Sequence, residues 1–254
     1  MSPKQNREVT ILLSTPIMSA LLMIYLAWDV PTDAEITVLD HAQDAGVSFQ
    51  EYPQSLIDLL ERNPETEEFV LGYPQRAEQP VDLSGYDRSE GVPLLLQWDQ
   101  RWGYMNYGDD VVGITGCGPL CLSMVGYYLT GEEKFYPDAV VEFALENGYV
   151  SPGNGSKWTL ISQGGEELGL DVKEIAPEEK KLEAYLKSGA LVIAVMGPGD
   201  FTTSGHFIVI TGCADGQVSV NDPNSRIRSE KTWEFAANKD QFRNLWVVRK
   251  GPAA

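Results

Sequence analysis

Cys117 has the sequence setting of a catalytic nucleophile. It lies between Gly116 and Gly118, and it is followed by Pro119 and an apolar run of helical period. Proline is favourable in the first turn of a helix, so the run predicts a helix over residues 114–129 with the cysteine near its N-terminus. The helix dipole and unpaired N–H groups there favour a thiolate over a thiol. The two glycines also leave room for the backbone of a substrate.

The chain contains only two histidines, His41 and His206, and His206 begins an apolar stretch at residues 206–212 that predicts a buried strand. Asp222 lies sixteen residues further on, with Ala214 midway. A hairpin centred on Ala214 makes the histidine and the aspartate cross-strand neighbours. A carboxylate in that place fixes the tautomer of the imidazole and stabilises its charged form. The charged imidazole in turn stabilises a thiolate.

Each of these residues also has a purely structural interpretation. Cys117 could be a small buried apolar side chain, His206 a satisfied strand histidine, and Asp222, which precedes a proline, a turn former. For Cys121, one helical turn after Cys117, the packing role is the preferred interpretation, and Cys213 is open to the same reading. The two flanking glycines and the sixteen-residue spacing favour the catalytic interpretation of the other three.

The rest of the chain predicts an α+β fold in which helices come first and strands follow. Hydrophobic periodicity and length assign these elements. The predicted helices cover residues 114–129, 137–147, 158–168 and 178–187, and the predicted strands cover residues 92–96, 190–196, 206–212, 217–221 and 244–249.

Residues 10–28 carry no charge and are long enough to cross a hydrocarbon core of about 30 Å as a helix. Lys4 and Arg7 precede them and acidic residues follow, so we expect the N-terminus inside and the rest of the chain outside the cytoplasm. A cleaved signal peptide is the competing interpretation. No small-residue cleavage site is found near Ala27, which favours an uncleaved anchor within residues 1–29.

Residues 30–90 are acidic and interrupted by prolines, and they predict two short helices, one after Pro53 and one over residues 65–71. They contain too few apolar residues for a core of their own. We therefore expect a helical stalk, or a segment like a propeptide, that packs on a main domain at residues 91–254. The acidic run at residues 65–68 is most simply a solvated face.

Composition limits the possible partners. A net charge of −18 and a pI near 4.4 argue against binding to nucleic acid or to anionic lipid through charge. Three cysteines make a poor disulfide framework, and the Cys-x-x-x-Cys spacing does not suit zinc. We expect neither a metal nor a cofactor.

The order of cysteine, histidine and carboxylate resembles that of the papain-like cysteine peptidases. The chain more closely resembles the C39-like family, the second C39 peptidase family, which is found in bacterial proteins. The resemblance covers about residues 92–249, and the stalk phrase from Tyr52 to Glu65 also resembles the segment that precedes this domain in anchored members. The matching motifs are Gln97-Trp98-Asp99-Gln100-Arg101-Trp102, Gly116-Cys117-Gly118-Pro119, Gly205-His206-Phe207 and Asn221-Asp222-Pro223.

This resemblance implies a papain-like α+β fold, in which a nucleophile helix faces an antiparallel sheet that carries the histidine and the aspartate. It also implies thiol-dependent cleavage of a peptide or other acyl bond. Cys117 would attack, His206 would act as base and then acid, and Asp222 would orient His206. An upstream glutamine would stabilise the oxyanion together with the backbone N–H of Cys117, and one such donor is typically worth about 3–4 kcal/mol of barrier. Gln97 is the preferred candidate and Gln100 its rival.

Two other functions fit the same residues. A thiol acyltransferase or amidase would use an identical site, because transfer and hydrolysis differ only in what attacks the acyl-enzyme. A non-catalytic cell-surface binding module would retain the fold, with Cys117 and His206 out of hydrogen-bond reach. The expected partners are a peptide or protein substrate and, through the N-terminal helix, the cell membrane.

Overall fold

The computed structural model describes residues 30–153 and 155–252. The anchor predicted at residues 10–28 lies outside the described residues. Within the described ranges, no helix combines the length and the apolar character needed to cross a membrane.

The N-terminal segment forms three helices, which are α1 (Asp33–Ala45), α2 (Gln54–Arg62) and α3 (Glu67–Leu71). Helix α1 begins with a capping box, in which Thr32 and Glu35 satisfy each other's backbone N–H groups. The buried side chains of the segment form one cluster with a residue from the following part of the chain. The members of this cluster are Ala34, Val38, Ala42, Tyr52, Leu56, Ile57, Leu59, Leu60, Phe69, Val70 and Val111.

The core of this segment is thus shared with the domain that follows. The ring of Phe69 lies against Gly103 and Gly113, where a Cβ atom on Gly103 would come within 2.7 Å of the ring. Any side chain at these two positions would displace the ring. The N-terminal segment therefore packs closely on the main domain at Phe69.

The main domain begins with two short paired strands, β1 (Asn106–Tyr107) and β2 (Asp110–Val111), and its helices follow them. The predicted strand at residues 92–96 is wrong, because that stretch forms no strand and pairs with no neighbouring strand. The predicted helix at residues 158–168 is a π-helical turn at Leu160–Gly164 that leads into α7. The other elements are α4 (Val112–Thr115), α5 (Cys117–Thr130), α6 (Pro137–Glu146), β3 (Val150–Ser151), β4 (Gly155–Ser156) and α7 (Gly165–Glu167).

The C-terminal part is an antiparallel six-stranded sheet in the order β5-β10-β6-β7-β8-β9. The four apolar strands predicted from the sequence are its central strands. The two edge strands were not predicted, because their sequences are too polar to show a buried pattern. The elements are β5 (Leu170–Ile175), α8 (Glu179–Lys187), β6 (Leu191–Met196), β7 (His206–Ala214), β8 (Gln217–Asn221), α9 (Arg226–Ser229), β9 (Thr232–Glu234), α10 (Phe235–Asn238) and β10 (Phe242–Lys250).

Alternation along the strands divides the core between the two faces of the sheet. Ile193, Val209 and Trp246 pack with α5 on one face, whereas Val192 and Ile210 pack on the other face with α8. All residues of α5 from Gly118 to Tyr127 are buried, so this helix lies inside the domain against the sheet. The α+β fold class predicted from the sequence is the one observed.

Candidate active site

Cys117 is the first residue of α5, and its side chain is half-buried. The short helix α4 and Gly116 precede it, and Pro119 lies in the first turn, as the sequence predicts. The N–H groups of a first helical turn have no acceptor within their own helix. The backbone N–H of Cys117 is therefore available to an acceptor outside the helix.

The glycines beside Cys117 are packed against protein atoms, which corrects the expectation that they leave room for a substrate. A Cβ on Gly118 would lie 2.7 Å from Cβ of Ser156, and a Cβ on Gly116 would lie 2.6 Å from the carbonyl oxygen of Val112. The hydroxyl of Ser156 is hydrogen-bonded to that of Tyr107 at 2.7 Å. The β3–β4 hairpin thus lies directly on the first turn of α5, and Gly118 is required for that close approach.

His206 is the first residue of β7 and is only 7% exposed. Its Nε2 is hydrogen-bonded to Oδ1 of Asp222 at 2.7 Å. The other ring nitrogen, Nδ1, makes no contact with Asp222, and the side chain of Cys117 lies close enough to the imidazole to affect its pKa. The structure therefore brings together the three residues that the sequence identified as nucleophile, base and orienting carboxylate.

The route by which His206 and Asp222 meet differs from the prediction. The β7–β8 hairpin turns at Asp215 and Gly216, both with positive φ, so its centre is not Ala214. A register shift follows, and the last cross-strand pair is Val209 with Asn221. His206 and Asp222 are therefore not directly paired. Asp222 lies in the turn that follows β8, closed by the N–H of Ser225 on the carbonyl of Asp222, and its side chain reaches the imidazole from there.

The charged forms of His206 and Asp222 stabilise each other. Burial opposes a charged imidazole, but the negative charge of Asp222 and the hydrogen bond to it, with a smaller contribution from the neighbouring Cys117, outweigh burial and raise the pKa of His206 from 6.5 to about 10. Burial likewise opposes an ionised Asp222, but His206 and Arg228 hold the pKa of that carboxyl below its usual value. Both shifts favour the charged forms, an imidazolium beside a carboxylate.

Asp222 is fully buried and all its carboxylate contacts come from donors. Oδ1 also accepts the backbone N–H of Asn224 at 2.8 Å, and Oδ2 accepts from Nε of Arg228 at 2.5 Å. The backbone N–H of Asp222 donates to the hydroxyl of Ser229 at 2.8 Å. This network fixes the carboxylate in one orientation, with Oδ1 toward His206.

Arg228 is the functional residue that sequence analysis missed. It belongs to the four-residue helix α9, and its side chain is 24% exposed. It forms an ion pair with the carboxylate of Asp222, which is completely buried. Within the described part of the chain, its Nη2 is buried without a hydrogen-bond partner. Arg226 lies two residues earlier and is exposed, so nothing in the local sequence distinguishes the arginine that reaches Asp222.

Gln97 and Gln100, the two candidates for the oxyanion donor, occupy different places. Gln97 is 3% exposed, and its Nε2 donates to the carbonyl oxygens of Gly113 at 2.8 Å and Ile114 at 3.3 Å. Its backbone N–H donates to the carbonyl of Pro223 at 2.7 Å. Gln97 thus connects the segment before Cys117 with the turn after Asp222.

Gln100 points away from this connection. It is exposed, and its Nε2 donates to the carbonyl of Glu68 in the N-terminal segment at 3.2 Å. Its contact with that segment is structural.

The other two cysteines lie in the core. Cys121 is completely buried, and burial, together with the charges of Cys117 and Asp222, raises the pKa of its thiol well above the usual value. Cys213, in β7, is 8% exposed, and burial raises the pKa of its thiol too. Within residues 30–153 and 155–252 no group of three or more His, Cys, Asp or Glu side chains could hold a metal ion.

An internal helix that begins at Cys117 thus packs on an antiparallel sheet whose strand β7 begins at His206, and Asp222 lies in the turn after β8. The sequence matches the model of the Peptidase_C39 like family over residues 89–254, more than half of the chain. The protein belongs to this family. No curated protein matches the sequence.

Two solved structures illustrate what the fold is similar to. The peptidase domain of Streptococcus ComA, a bi-functional ABC transporter involved in a quorum sensing pathway, is 16% identical with a TM-score of 0.42, and the match covers 53% of this chain and 91% of that chain. A double glycine motif protease from an AMS/PCAT transporter, solved in complex with the leader peptide, is 18% identical with a TM-score of 0.40. That match covers 68% of this chain and 99% of the other.

Proposed function

We propose that the protein is a thiol-dependent peptidase in which Cys117 is the nucleophile. The observation that carries this proposal is the buried contact of 2.7 Å between Nε2 of His206 and Asp222, with the second ring nitrogen left for a cysteine at a helix N-terminus. A histidine placed between a carboxylate and a thiol is the arrangement that activates a cysteine.

In the first half of the reaction, the sulfur of Cys117 attacks the carbonyl carbon of the substrate and the carbonyl oxygen becomes an oxyanion. The backbone N–H of Cys117 and Nε2 of Gln97 stabilise that charge. Nε2 carries two N–H groups, and the contact to Ile114 at 3.3 Å is the weaker of its two bonds, so this N–H is the one that turns to the oxyanion. His206 then gives its Nδ1 proton to the leaving amine, and a thioester remains on Cys117.

In the second half, His206 takes a proton from a water molecule, whose oxygen attacks the thioester carbonyl. The carbon–sulfur bond breaks, the new carboxylic acid leaves, and the proton on His206 restores the charged pair with Cys117. Asp222 keeps Nε2 of His206 as a donor in both halves, so Nδ1 is always the nitrogen that exchanges the proton.

The experiment that tests this proposal compares the protein with Cys117→Ala, His206→Ala and Cys213→Ala on a peptide library, with products identified by mass. We expect cleavage by the wild type and by Cys213→Ala, because Cys213 lies in the sheet away from the site. Neither of the other two variants should cleave. Cleavage by folded Cys117→Ala at the wild-type rate would refute the proposal. A thioester of mass equal to the acyl fragment plus enzyme, trapped on Cys117 at low pH, would support it, and added amines would reveal transfer in place of hydrolysis.

We further propose that the peptidase acts outside the cytoplasm, on a peptide or protein substrate, with residues 10–28 as its membrane anchor. The support is the uncharged stretch itself, the basic residues before it and the acidic residues after it. Fractionation of cells that express the full chain, followed by protease treatment of intact cells, tests this. Recovery of the chain in the protease-protected soluble fraction would contradict it.

A further inference from the structure

The turn that carries Asp222 is also held by the N-terminal segment. The acidic run at residues 65–68 predicts a solvated face, but Glu65 lies against α9. Oε1 of Glu65 accepts from the hydroxyl of Ser225 at 2.5 Å, and Oε2 accepts the backbone N–H groups of Arg226 at 2.9 Å and Ile227 at 3.2 Å. One side chain thus satisfies three donors at the start of α9.

A second contact joins the same two parts of the chain. Nδ2 of Asn63 donates to the carbonyl of Asn224 at 2.6 Å, and Asn63 is 9% exposed. The contacts of Asn63 and Glu65 therefore fall on both sides of Ser225, which is itself 3% exposed.

A short chain of contacts leads from Glu65 to the imidazole. The hydroxyl of Ser225 donates to Glu65 and accepts the backbone N–H of Arg228 at 3.1 Å. Nε of Arg228 donates to Oδ2 of Asp222, and Oδ1 of Asp222 contacts Nε2 of His206. A single four-residue helical turn has too few internal hydrogen bonds to hold its own shape. Glu65 therefore adds to the contacts that fix the turn, among them the bond from Nε1 of Trp233 to the carbonyl of Arg228, and the position of Arg228 depends on the turn.

We propose that Glu65 is a positioning residue for the catalytic pair, acting through α9 and Arg228 on Asp222 and His206. This inference rests on the proposed peptidase function. Glu65 touches neither the thiol nor the imidazole, and its carboxylate fixes the turn whose arginine fixes Oδ2 of Asp222. The N-terminal helical segment is thus part of the active-site architecture.

The test compares Glu65→Ala and Glu65→Gln with Glu67→Ala, a control that removes the same charge from an exposed side chain two residues away. We expect Glu65→Ala to lower kcat by about 10- to 100-fold with KM nearly unchanged, the scale for a small misplacement of catalytic groups. Glu65→Gln keeps one acceptor oxygen, so its kcat should lie between those of Glu65→Ala and the wild type. The alkaline limb of the pH profile should move to lower pH, because a displaced Asp222 raises the pKa of His206 less. Glu67→Ala should match the wild type.

Nuclear magnetic resonance of the histidine ring protons gives a second readout that needs no substrate. The Nε2–H proton that His206 shares with Asp222 should be shifted downfield and protected from exchange, and His41→Gln assigns it because the chain has two histidines. In Glu65→Ala this signal should broaden or disappear. A folded Glu65→Ala variant with the kcat, pH profile and histidine signal of the wild type would overturn the inference. If the alanine variant does not fold, a Glu65→Gln variant that matches the wild type in all three measurements would overturn it. Failure of the wild type to cleave any peptide would defeat the proposed function, while the histidine signal would still decide the role of Glu65.

Discussion

Asp222→Asn is the substitution that most directly tests how the site is held together. Aspartate and asparagine have the same shape, but the Asp222 carboxylate accepts from His206 and Asn224 on one oxygen and from Arg228 on the other. An amide has one acceptor oxygen, so its NH₂ group must meet a donor in either orientation. If the NH₂ group faces Arg228 the guanidinium loses its partner, and if it faces His206 the imidazole is driven to the wrong tautomer.

The structure sets the size of both effects. Removing one partner of a buried ion pair costs about 3–5 kcal/mol, and the lower end applies because Arg228 keeps 24% of its side chain exposed. A loss of this size lowers the Tm of a domain of this length by about 6–12 °C. A wrong histidine tautomer lowers kcat by about 10⁴-fold.

The assay is thermal unfolding together with turnover of a peptide that the library identifies. A second variant, Asp222→Asn with Arg228→Gln, offers the amide an acceptor at position 228 and should recover most of the lost Tm. If Asp222→Asn keeps its Tm within about 2 °C of the wild type and its kcat within about tenfold, the Asp222 carboxylate does not hold both His206 and Arg228 in place, and the reasoning is refuted.

Three further outcomes are expected. Because the pKa of His206 is raised from 6.5 to about 10, its charge stabilises the fold fully below pH 6.5, and this stabilisation is lost as the pH rises through about 10. Urea titrations should therefore show a fall in the free energy of unfolding over this pH range, and His206→Gln should lack that fall. Iodoacetamide at neutral pH should label Cys117 well before Cys121, whose thiol is buried with a raised pKa, and equal slow labelling seen by mass mapping would count against a reactive Cys117. Gln97→Ala should lower kcat by about 10²–10³-fold while Gln100→Ala stays near the wild type, and the opposite order in steady-state kinetics would reverse the assignment.

The strongly patterned parts of this protein were predictable from its sequence. The apolar strands that became β6 and β7 read as buried runs, and the glycine-flanked Cys117 with Pro119 located the start of α5 within three residues. Hydrophobic period and helix-start chemistry act locally, so a short window of sequence contains them. The edge strand β5 lacks such a pattern, because Leu170 is its only buried residue.

The contacts of the candidate site were only partly predictable. The scarcity of histidine led to His206, and spacing led to Asp222, although a hairpin with another centre and a register shift brings the two together. Arg228 and Glu65 could not be found, because their roles depend on contacts across long separations, such as the 160 residues between Glu65 and Ser225. No local pattern encodes such a contact.

The shared core of the N-terminal segment has a practical consequence for anyone who divides this protein. The family match begins at residue 89, after Glu65 and Phe69, so a fragment cut at that boundary would leave the groove at Gly103 and Gly113 open to solvent. The unit that the family model describes is therefore smaller than the unit whose side chains pack together in this structure.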